Sequence, residues 1–214
     1  MNKNFPDYIV VEGPIGVGKT SLAKRLADTF NVELLLESPA ENPFLSAFYE
    51  NPRSAALPAQ LHFLFQRARQ IESLRQTDMF RPVQISDFLI EKDRLFAKAN
   101  LSDAEYDLYR QVYDRMVMQS PVPDLVIYLQ AKPEILLNRV LERGIEYEKN
   151  INAGYLKKIS DAYIDFFYHY DVSPLLIINT ENFDLVNNTK NYNLLVQHIS
   201  KLPPGRHYFN PQGL

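Results

Sequence analysis

A glycine-rich segment follows the first apolar run of the chain and constrains the fold more than any other feature. It comprises Gly13, Pro14, Ile15, Gly16, Val17, Gly18, Lys19 and Thr20, which match the pattern G-x-x-x-x-G-K-[ST]. Backbone N–H groups can surround a phosphate only with dihedral angles that glycine adopts easily. Ser21 continues into a helix-like segment, whose N-terminus adds a favourable dipole. The sequence therefore predicts a nucleoside triphosphate site, in which Lys19 contacts the outer phosphates and Thr20 contacts Mg²⁺.

Five apolar runs predict the strands of one parallel sheet. They are residues 8–12, 32–36, 83–86, 125–129 and 175–178. Helix-like segments separate these runs, and apolar strands alternating with helices are typical of a doubly wound α/β fold with helices on both faces of the sheet. We expect one domain over residues 1–214 with a five-stranded sheet. Residues 203–214 begin with two prolines and are expected to form a surface tail.

Composition and charge exclude several classes of protein. Of the 214 residues, 46% are hydrophobic and 23% are charged, which is typical of a globular domain. The net charge of −3 offers no basic field for polymeric nucleic acid or an anionic membrane. The chain shows no signal peptide and no apolar run near the roughly 20 residues that span a bilayer. It has no cysteine, which excludes disulfides and fits the cytoplasm, the location we expect.

Two carboxylates come directly after predicted strands. Asp87 follows the run 83–86, and Glu37 follows the run 32–36. Ligands of such sheets bind at the carboxyl ends of the strands, so both acids are expected beside the glycine-rich loop. Asp87 is expected to hold Mg²⁺ or to accept the proton of an attacking hydroxyl, and Glu37 to be a second acid near the metal or a base near the acceptor. Either acid can instead start a turn or cap a helix.

Arg139 and Arg143 are four residues apart in a helix-like segment and so project from one face. Planar guanidinium groups suit the charge that spreads over a phosphoryl group during transfer, and a closing lid excludes water. The pattern predicts a kinase lid, and the alternative is a solvated face paired with Glu142 and Glu146. The N-K-x-D motif of guanine-binding switches is absent after the late strand, which favours a kinase.

Several spacings resemble the deoxyribonucleoside kinase family, which includes deoxycytidine, deoxyguanosine and bacterial deoxyadenosine kinases. Glu37, with a proline two residues later, stands where that family has an acid near the nucleoside 5′-hydroxyl. Tyr49 and Gln60 have the spacing of the family residues that contact the sugar 3′-hydroxyl and the base edge. Arg67 resembles an arginine beside the base, and Phe96 resembles the aromatic residue that stacks on it.

The same resemblance assigns residues on the phosphate side of the site. Asp87 falls where the family has the acid of a Glu-Arg-Ser motif, its proposed general base. Arg139 and Arg143 look like arginines of the family's lid, here at about residues 139–150. Glu148 looks like a second partner of the sugar hydroxyl in that lid.

The resemblance covers residues 8–183 and implies a reaction. Asn182 and Phe183 are similar to the loop that packs around the adenine of ATP. A P-loop kinase of this family would phosphorylate the 5′-hydroxyl of a deoxyribonucleoside, using ATP and Mg²⁺. Arg67 favours deoxyadenosine, deoxycytidine or deoxyguanosine over thymidine. The family is commonly dimeric, which implies a homodimer, and the aromatic residues of the segment 163–170 are expected to pack in the core or against a second subunit.

Two positions depart from the family pattern. Phe88 occupies the place of the arginine in the Glu-Arg-Ser motif, and Ile145 occupies the place of a third lid arginine of some members. Arg94 and Lys149 are the candidates to replace these cations, and Asp93 is a candidate partner of the arginine beside the base. Two other functions stay open: a nucleoside monophosphate kinase such as thymidylate kinase, and a non-catalytic regulatory module that binds nucleotide.

Overall fold

The computed structural model describes residues 5–76, 84–116 and 120–210, in which six strands alternate with eight helices. The strands are β1 Tyr8–Glu12, β2 Glu33–Leu35, β3 Gln84–Ser86, β4 Leu125–Gln130, β5 Leu175–Asn179 and β6 Arg206–Phe209. The helices are α1 Lys19–Phe30, α2 Leu45–Glu50, α3 Pro52–Gln76, α4 Lys92–Asn100, α5 Asp103–Met116, α6 Pro133–Arg143, α7 Ala153–Tyr168 and α8 Thr189–Ile199. Short 3₁₀ helices lie at Pro39–Glu41 and Glu146–Glu148.

The helix boundaries follow from residues with special backbone or capping properties. α6 begins with Pro133, whose missing N–H costs nothing in the first turn, and ends before Gly144, which adopts a left-handed conformation. At the start of α7, the Asn152 side chain accepts a hydrogen bond of 2.9 Å from the N–H of Tyr155. Gly144 and Asn152 thus define the two ends of the segment between α6 and α7. This segment carries Glu148 of the predicted lid.

The six strands form one parallel sheet in the order β2-β3-β1-β4-β5-β6. Leu35 of β2 pairs with Ser86 of β3, and Ser86 pairs with Val10 of β1. All carboxyl ends therefore lie at one edge, where Glu37, Asp87 and the glycine-rich loop meet. The prediction of a doubly wound α/β fold is confirmed, and four of the predicted strands are described with boundaries within two residues. Val83, the first residue of the predicted third strand, lies outside the described residues.

A sixth strand corrects the prediction of five. Arg206–Phe209 pairs in parallel with β5, with Leu175 opposite Arg206, so this part of the expected tail belongs to the sheet. The Arg206 guanidinium donates to the carbonyls of Phe167, Tyr168 and Tyr170 at 3.0, 2.9 and 3.1 Å, which attaches the strand to the end of α7. Strand pairing at a sheet edge is a tertiary interaction, and a short polar run after two prolines carries no local signal for it.

Apolar side chains on both faces of the sheet hold the helices in place. On one face, β1 residues Ile9 and Val11 pack with Leu22 and Leu26 of α1. On the other face, Val10 packs with residues of α4 and α7. Three aromatic residues of the 163–170 segment belong to this second cluster and are buried: Tyr163, Phe167 and Tyr170. The expectation that they pack in the core is confirmed. In the part of the chain that the structure describes, no helix is long and apolar enough to span a membrane.

Candidate active site

The glycine-rich loop has the conformation that its sequence predicts. Gly13, Gly16 and Gly18 have φ angles of 149°, 82° and 103°, in the region that glycine alone enters without strain. Gly13 also passes so close to β4 that an added Cβ would lie 2.4 Å from the carbonyl oxygen of Leu129. Lys19 begins α1 directly after the loop. A glycine-rich loop with such angles, directly before a helix N-terminus, is the arrangement that binds phosphate groups in P-loop proteins.

Asp87 connects the loop to the second acid of the crevice. The Thr20 hydroxyl donates to Asp87 Oδ2 at 2.5 Å, and the backbone N–H of Glu37 donates to Asp87 Oδ1 at 2.8 Å. A hydroxyl and a carboxylate in contact at the end of the loop are the two protein ligands that P-loop enzymes give to Mg²⁺. Among the described residues, no group of three His, Cys, Asp or Glu side chains could hold a metal. Mg²⁺ suits this pair because it takes most of its ligands from water and phosphates.

Glu37 lies between two cations. Oε1 of its carboxylate accepts from Arg67, with a distance of 2.7 Å from Nε, and Oε2 accepts from Lys92 Nζ at 3.1 Å. Burial raises the pKa of Glu37, but Arg67 and then Lys92 outweigh burial and lower it to about 2. Glu37 is therefore an ionised carboxylate, although only 14% of its side chain is exposed.

Arg67 also pairs with Asp93, the partner proposed for it from the sequence. Asp93 is fully buried in α4. Burial raises the pKa of this carboxyl to about 6 in spite of the adjacent Arg67. Its Oδ2 has no hydrogen-bond partner among the described residues. The Arg67 guanidinium group is thus paired with two acids, Glu37 and Asp93.

A deep cavity of about 120 Å³ opens beside the loop, Glu37 and Asp87. All seven residues predicted to bind an acceptor line it: Glu37, Tyr49, Gln60, Arg67, Asp87, Phe96 and Glu148. They come from α2, α3, α4 and the segments after β2, β3 and α6. Gln60 is 3% exposed, and Phe96 contacts the ring of Tyr163 edge to face at 6.0 Å. The deep cavity therefore combines apolar and aromatic walls with a dense set of charged and polar groups.

A second cavity, of about 410 Å³, lies on the other side of the loop and is called the loop cavity below. Val17, Gly18 and Ser21 line it, together with Asn182 and Phe183, the residues predicted to surround adenine. Four other loop residues, Ile15, Gly16, Lys19 and Thr20, line the deep cavity, whereas Gly13 and Pro14 line neither cavity. The glycine-rich loop thus separates two cavities, each large enough for part of a small ligand.

The two lid arginines border different cavities. Arg139 lines the loop cavity and donates to the carbonyl and hydroxyl of Thr180 at 2.7 and 3.1 Å. Arg143 lines the deep cavity and pairs with Glu148 at 2.5 Å. The sequence predicts that both arginines reach one phosphoryl group. In the structure they instead border cavities on opposite sides of the glycine-rich loop. Their shared role in transfer stays a prediction.

Sequence reasoning missed Lys92. The two cations proposed to compensate for Phe88 and Ile145 point elsewhere: the Arg94 guanidinium lies 5.5 Å over the Tyr113 ring, and Lys149 is exposed and pairs with Glu146. Lys92 is 3% exposed and lines the deep cavity. Lys92 is the first residue of α4, four residues after Phe88, and no local pattern in the sequence marks it.

The fold and these two cavities define a class of protein. A phosphate-binding loop at the carboxyl edge of a parallel sheet, with a hydroxyl–carboxylate pair and a cavity on each side, is the site of a P-loop phosphotransferase. Within that class the family is also shown. The chain belongs to the deoxynucleoside kinase family, whose model, described as deoxynucleoside kinase, matches residues 9–203.

Individual relatives agree with this assignment. The chain is 31% identical to a deoxyguanosine kinase of Bacillus subtilis (strain 168), over 93% of this chain and 99% of the relative. It is 29% identical to a deoxyadenosine/deoxycytidine kinase of the same organism, over 91% of this chain and 92% of the relative. Among solved structures, deoxyadenosine kinase from M. mycoides with bound dCTP has a TM-score of 0.78 at 20% identity, covering 91% of this chain and 100% of that one. That structure supports the fold.

Proposed function

We propose that this kinase transfers the γ-phosphoryl group of ATP to the 5′-hydroxyl of a deoxyribonucleoside. Deoxyadenosine, deoxycytidine and deoxyguanosine are the favoured acceptors, and the product is the monophosphate. The observation that carries the proposal is the deep cavity, in which all seven predicted acceptor residues meet beside the phosphate-binding loop. ATP would place its adenine in the loop cavity, near Asn182 and Phe183, and its phosphates along the glycine-rich loop.

The contacts of the two acids divide their roles. One oxygen of Asp87 accepts from the Thr20 hydroxyl at the end of the glycine-rich loop, and the other accepts from the backbone N–H of Glu37. Thr20 and Asp87 would hold Mg²⁺, which supplies charge neutralisation on the phosphates. The sequence favours Asp87 as the group that accepts the proton of the acceptor 5′-hydroxyl. These contacts lead us to assign that role to Glu37 instead. The Glu37 carboxylate faces the deep cavity and is ionised, since its pKa is lowered to about 2.

The step balances with Glu37 as the acceptor of the proton. The 5′-oxygen forms a bond to the γ-phosphorus while the bond from that phosphorus to the β–γ bridging oxygen breaks, and the proton passes to Glu37. In a loose transition state the hydroxyl loses its proton late, when it is already acidic, so a weak base suffices. Lys19 and Arg143 offset the charge of the migrating group, and Arg139 is expected to join them when the lid closes.

The rest of the deep cavity has the chemistry to select a nucleoside. Gln60 can donate and accept in one plane, which suits a base edge, and the planar Arg67 guanidinium presents donors beside it. Phe96 offers an apolar face for the ring. Tyr49 and Glu148 also line the cavity and can offer a hydroxyl and a carboxylate to a sugar hydroxyl. Thymine has an N–H where cytosine and adenine have an acceptor ring nitrogen, and guanine can present its O6 and N7 acceptors to Arg67 instead.

A steady-state panel tests this function. The protein is incubated with ATP and Mg²⁺ and with each of four deoxynucleosides, and separately with their monophosphates. We expect phosphorylation of at least one of deoxyadenosine, deoxycytidine and deoxyguanosine, with a lower kcat/KM for thymidine. Transfer to monophosphates alone would support the thymidylate kinase alternative, and nucleotide binding without any product would support a regulatory module.

Asp87→Asn is expected to act through the metal. The amide keeps an oxygen near Thr20 but loses the charge, so the Mg²⁺ concentration for half-maximal activity should rise by at least about tenfold. ATP binding without metal should stay within about threefold, because the glycine-rich loop is unchanged. Titrations of Mg²⁺ against rate measure the first quantity and calorimetry measures the second. An unchanged Mg²⁺ requirement would contradict the role given to Asp87.

We also propose that the enzyme is a homodimer in the cytoplasm. Ile164 and Tyr168 of α7 are 54% and 71% exposed, which leaves apolar surface on a helix whose other face is in the core. The reaction consumes ATP, and the cytoplasm holds the cell's main supply. Light scattering that gives the mass of one chain at assay concentration would contradict the dimer, and fractionation with a membrane or an exported fraction would contradict the location.

A further inference from the structure

Lys92 is a buried cation of the site that neither the glycine-rich loop nor the lid supplies. It is the first residue of α4, and its Nζ lies 3.1 Å from Glu37 Oε2 and 3.9 Å from Glu12 Oε2. Its side chain lines the deep cavity with that of Lys19. The two ammonium groups therefore act on the same region of the site.

Glu12 does not explain why a lysine is buried here. Its carboxylate accepts from the N–H groups of Gly13 and Leu89, each at 2.8 Å, and from the Tyr163 hydroxyl at 2.9 Å. These three donors satisfy Glu12 without a cation. Burying an ammonium group costs free energy unless a charge partner compensates. We therefore take Glu37, the closer of the two carboxylates, as the charge partner of Lys92.

The place of the family's motif arginine is apolar in this chain. Phe88 is fully buried and packs against Ile71 and Ile90, in a cluster behind the site. Lys92 lies four residues further along the chain, as the first residue of α4, and reaches the Glu37 carboxylate that faces the deep cavity. Arg94 and Lys149 contact groups outside the deep cavity. Of Lys92, Arg94 and Lys149, Lys92 is the one that lines the deep cavity.

Lys92 and Arg67 hold Glu37 from opposite sides. Arg67 binds Oε1 and Lys92 binds Oε2. Arg67 is also paired with Asp93, which fixes the position of its guanidinium group. Lys92 contacts the other oxygen of the Glu37 carboxylate, on the side of the glycine-rich loop.

We propose that Lys92 replaces the missing arginine as a positioning residue, which orients the Glu37 carboxylate toward the acceptor hydroxyl. The proposal rests on the proposed function and adds a residue to it. It assigns the role of a motif cation to a side chain four positions further along the chain.

Kinetics of four variants test the proposal. Lys92→Met removes the charge and keeps the volume, Lys92→Gln keeps a donor to Glu37, and Lys92→Arg keeps both. Lys98→Met is the matched control, an exposed lysine of the same helix that lies outside the deep cavity. We expect Lys92→Met to lower kcat about 100-fold with KM for ATP within about threefold, and Lys92→Arg to recover to within about tenfold of the wild type. If Lys92→Met does not fold, Lys92→Gln takes its place.

A double-mutant cycle separates positioning from a structural role. In a Glu37→Gln background, the further change Lys92→Met should lower kcat by less than about threefold, because Lys92 acts through Glu37. Equal losses in both backgrounds, or a kcat of Lys92→Met within threefold of the wild type, would overturn the proposal. A wild-type protein that phosphorylates no deoxynucleoside would instead overturn the proposed function, together with this role, so the two failures are distinguishable.

Discussion

Replacing Glu37 by glutamine is expected to lower kcat by about 100-fold or more, the range measured for removal of a general base. Glutamine has nearly the same shape, so it can keep contacts with Arg67 and Lys92, but it cannot take a proton. KM for the deoxynucleoside should change less than kcat, because the walls of the deep cavity are untouched. Steady-state kinetics with the preferred acceptor measure both quantities, and thermal unfolding checks that the variant is folded.

Two controls make the Glu37 result specific. Asp87→Asn should shift the Mg²⁺ requirement, whereas Glu37→Gln should leave it within about threefold, since the Thr20–Asp87 pair is intact. Slow hydrolysis of ATP by water, where detectable, should fall less in Glu37→Gln than transfer to the nucleoside. If Glu37→Gln keeps more than a third of the wild-type kcat, Glu37 is not the general base. The role of proton acceptor would then belong to Asp87, as the sequence predicts.

The glycine-rich loop and the acids at the strand ends are predictable from sequence because their signals are local. The loop needs glycine at fixed spacings, and Asp87 directly follows the apolar β3 run. The acceptor residues are different: Tyr49, Gln60 and Phe96 lie on three helices, and only the joint spacing of a known family indicated that they meet. The deep cavity brings them together, although each alone has the appearance of helix-surface polarity or core packing.

What the sequence did not show depends on tertiary geometry. Residues four apart on a helix are rotated by about 40° and displaced by about 6 Å along the axis. That offset, at the end of α6, places Arg139 against Thr180 and Arg143 against Glu148. The role of Lys92 follows from where α4 begins and how deeply it is buried, and β6 follows from pairing at an edge. None of these has a local pattern.

Gly13→Ala is expected to remove both stability and ATP binding. The new Cβ would lie 2.4 Å from the carbonyl oxygen of Leu129, where an ordinary contact begins at 3.4 Å, so loop and strand must separate by about 1 Å. Overpacking and a φ of 149° together should cost about 3 kcal/mol of the free energy of unfolding or more. A displacement of this size at the phosphates should lower kcat/KM for ATP about 100-fold.

Gly18→Ala is the matched control for Gly13→Ala, because it lies in the same loop and also has a positive φ. An added Cβ there meets no atom within 4 Å, so only the strain of its φ of 103° remains, about 1–3 kcal/mol. Chemical denaturation gives the free energies of unfolding of both variants, and calorimetry gives their affinities for ATP. If the close approach to β4 sets the shape of the loop, Gly13→Ala must lose more of both quantities than Gly18→Ala. Equal losses would mean that backbone strain alone accounts for the effect, and that the contact with Leu129 contributes nothing to phosphate binding.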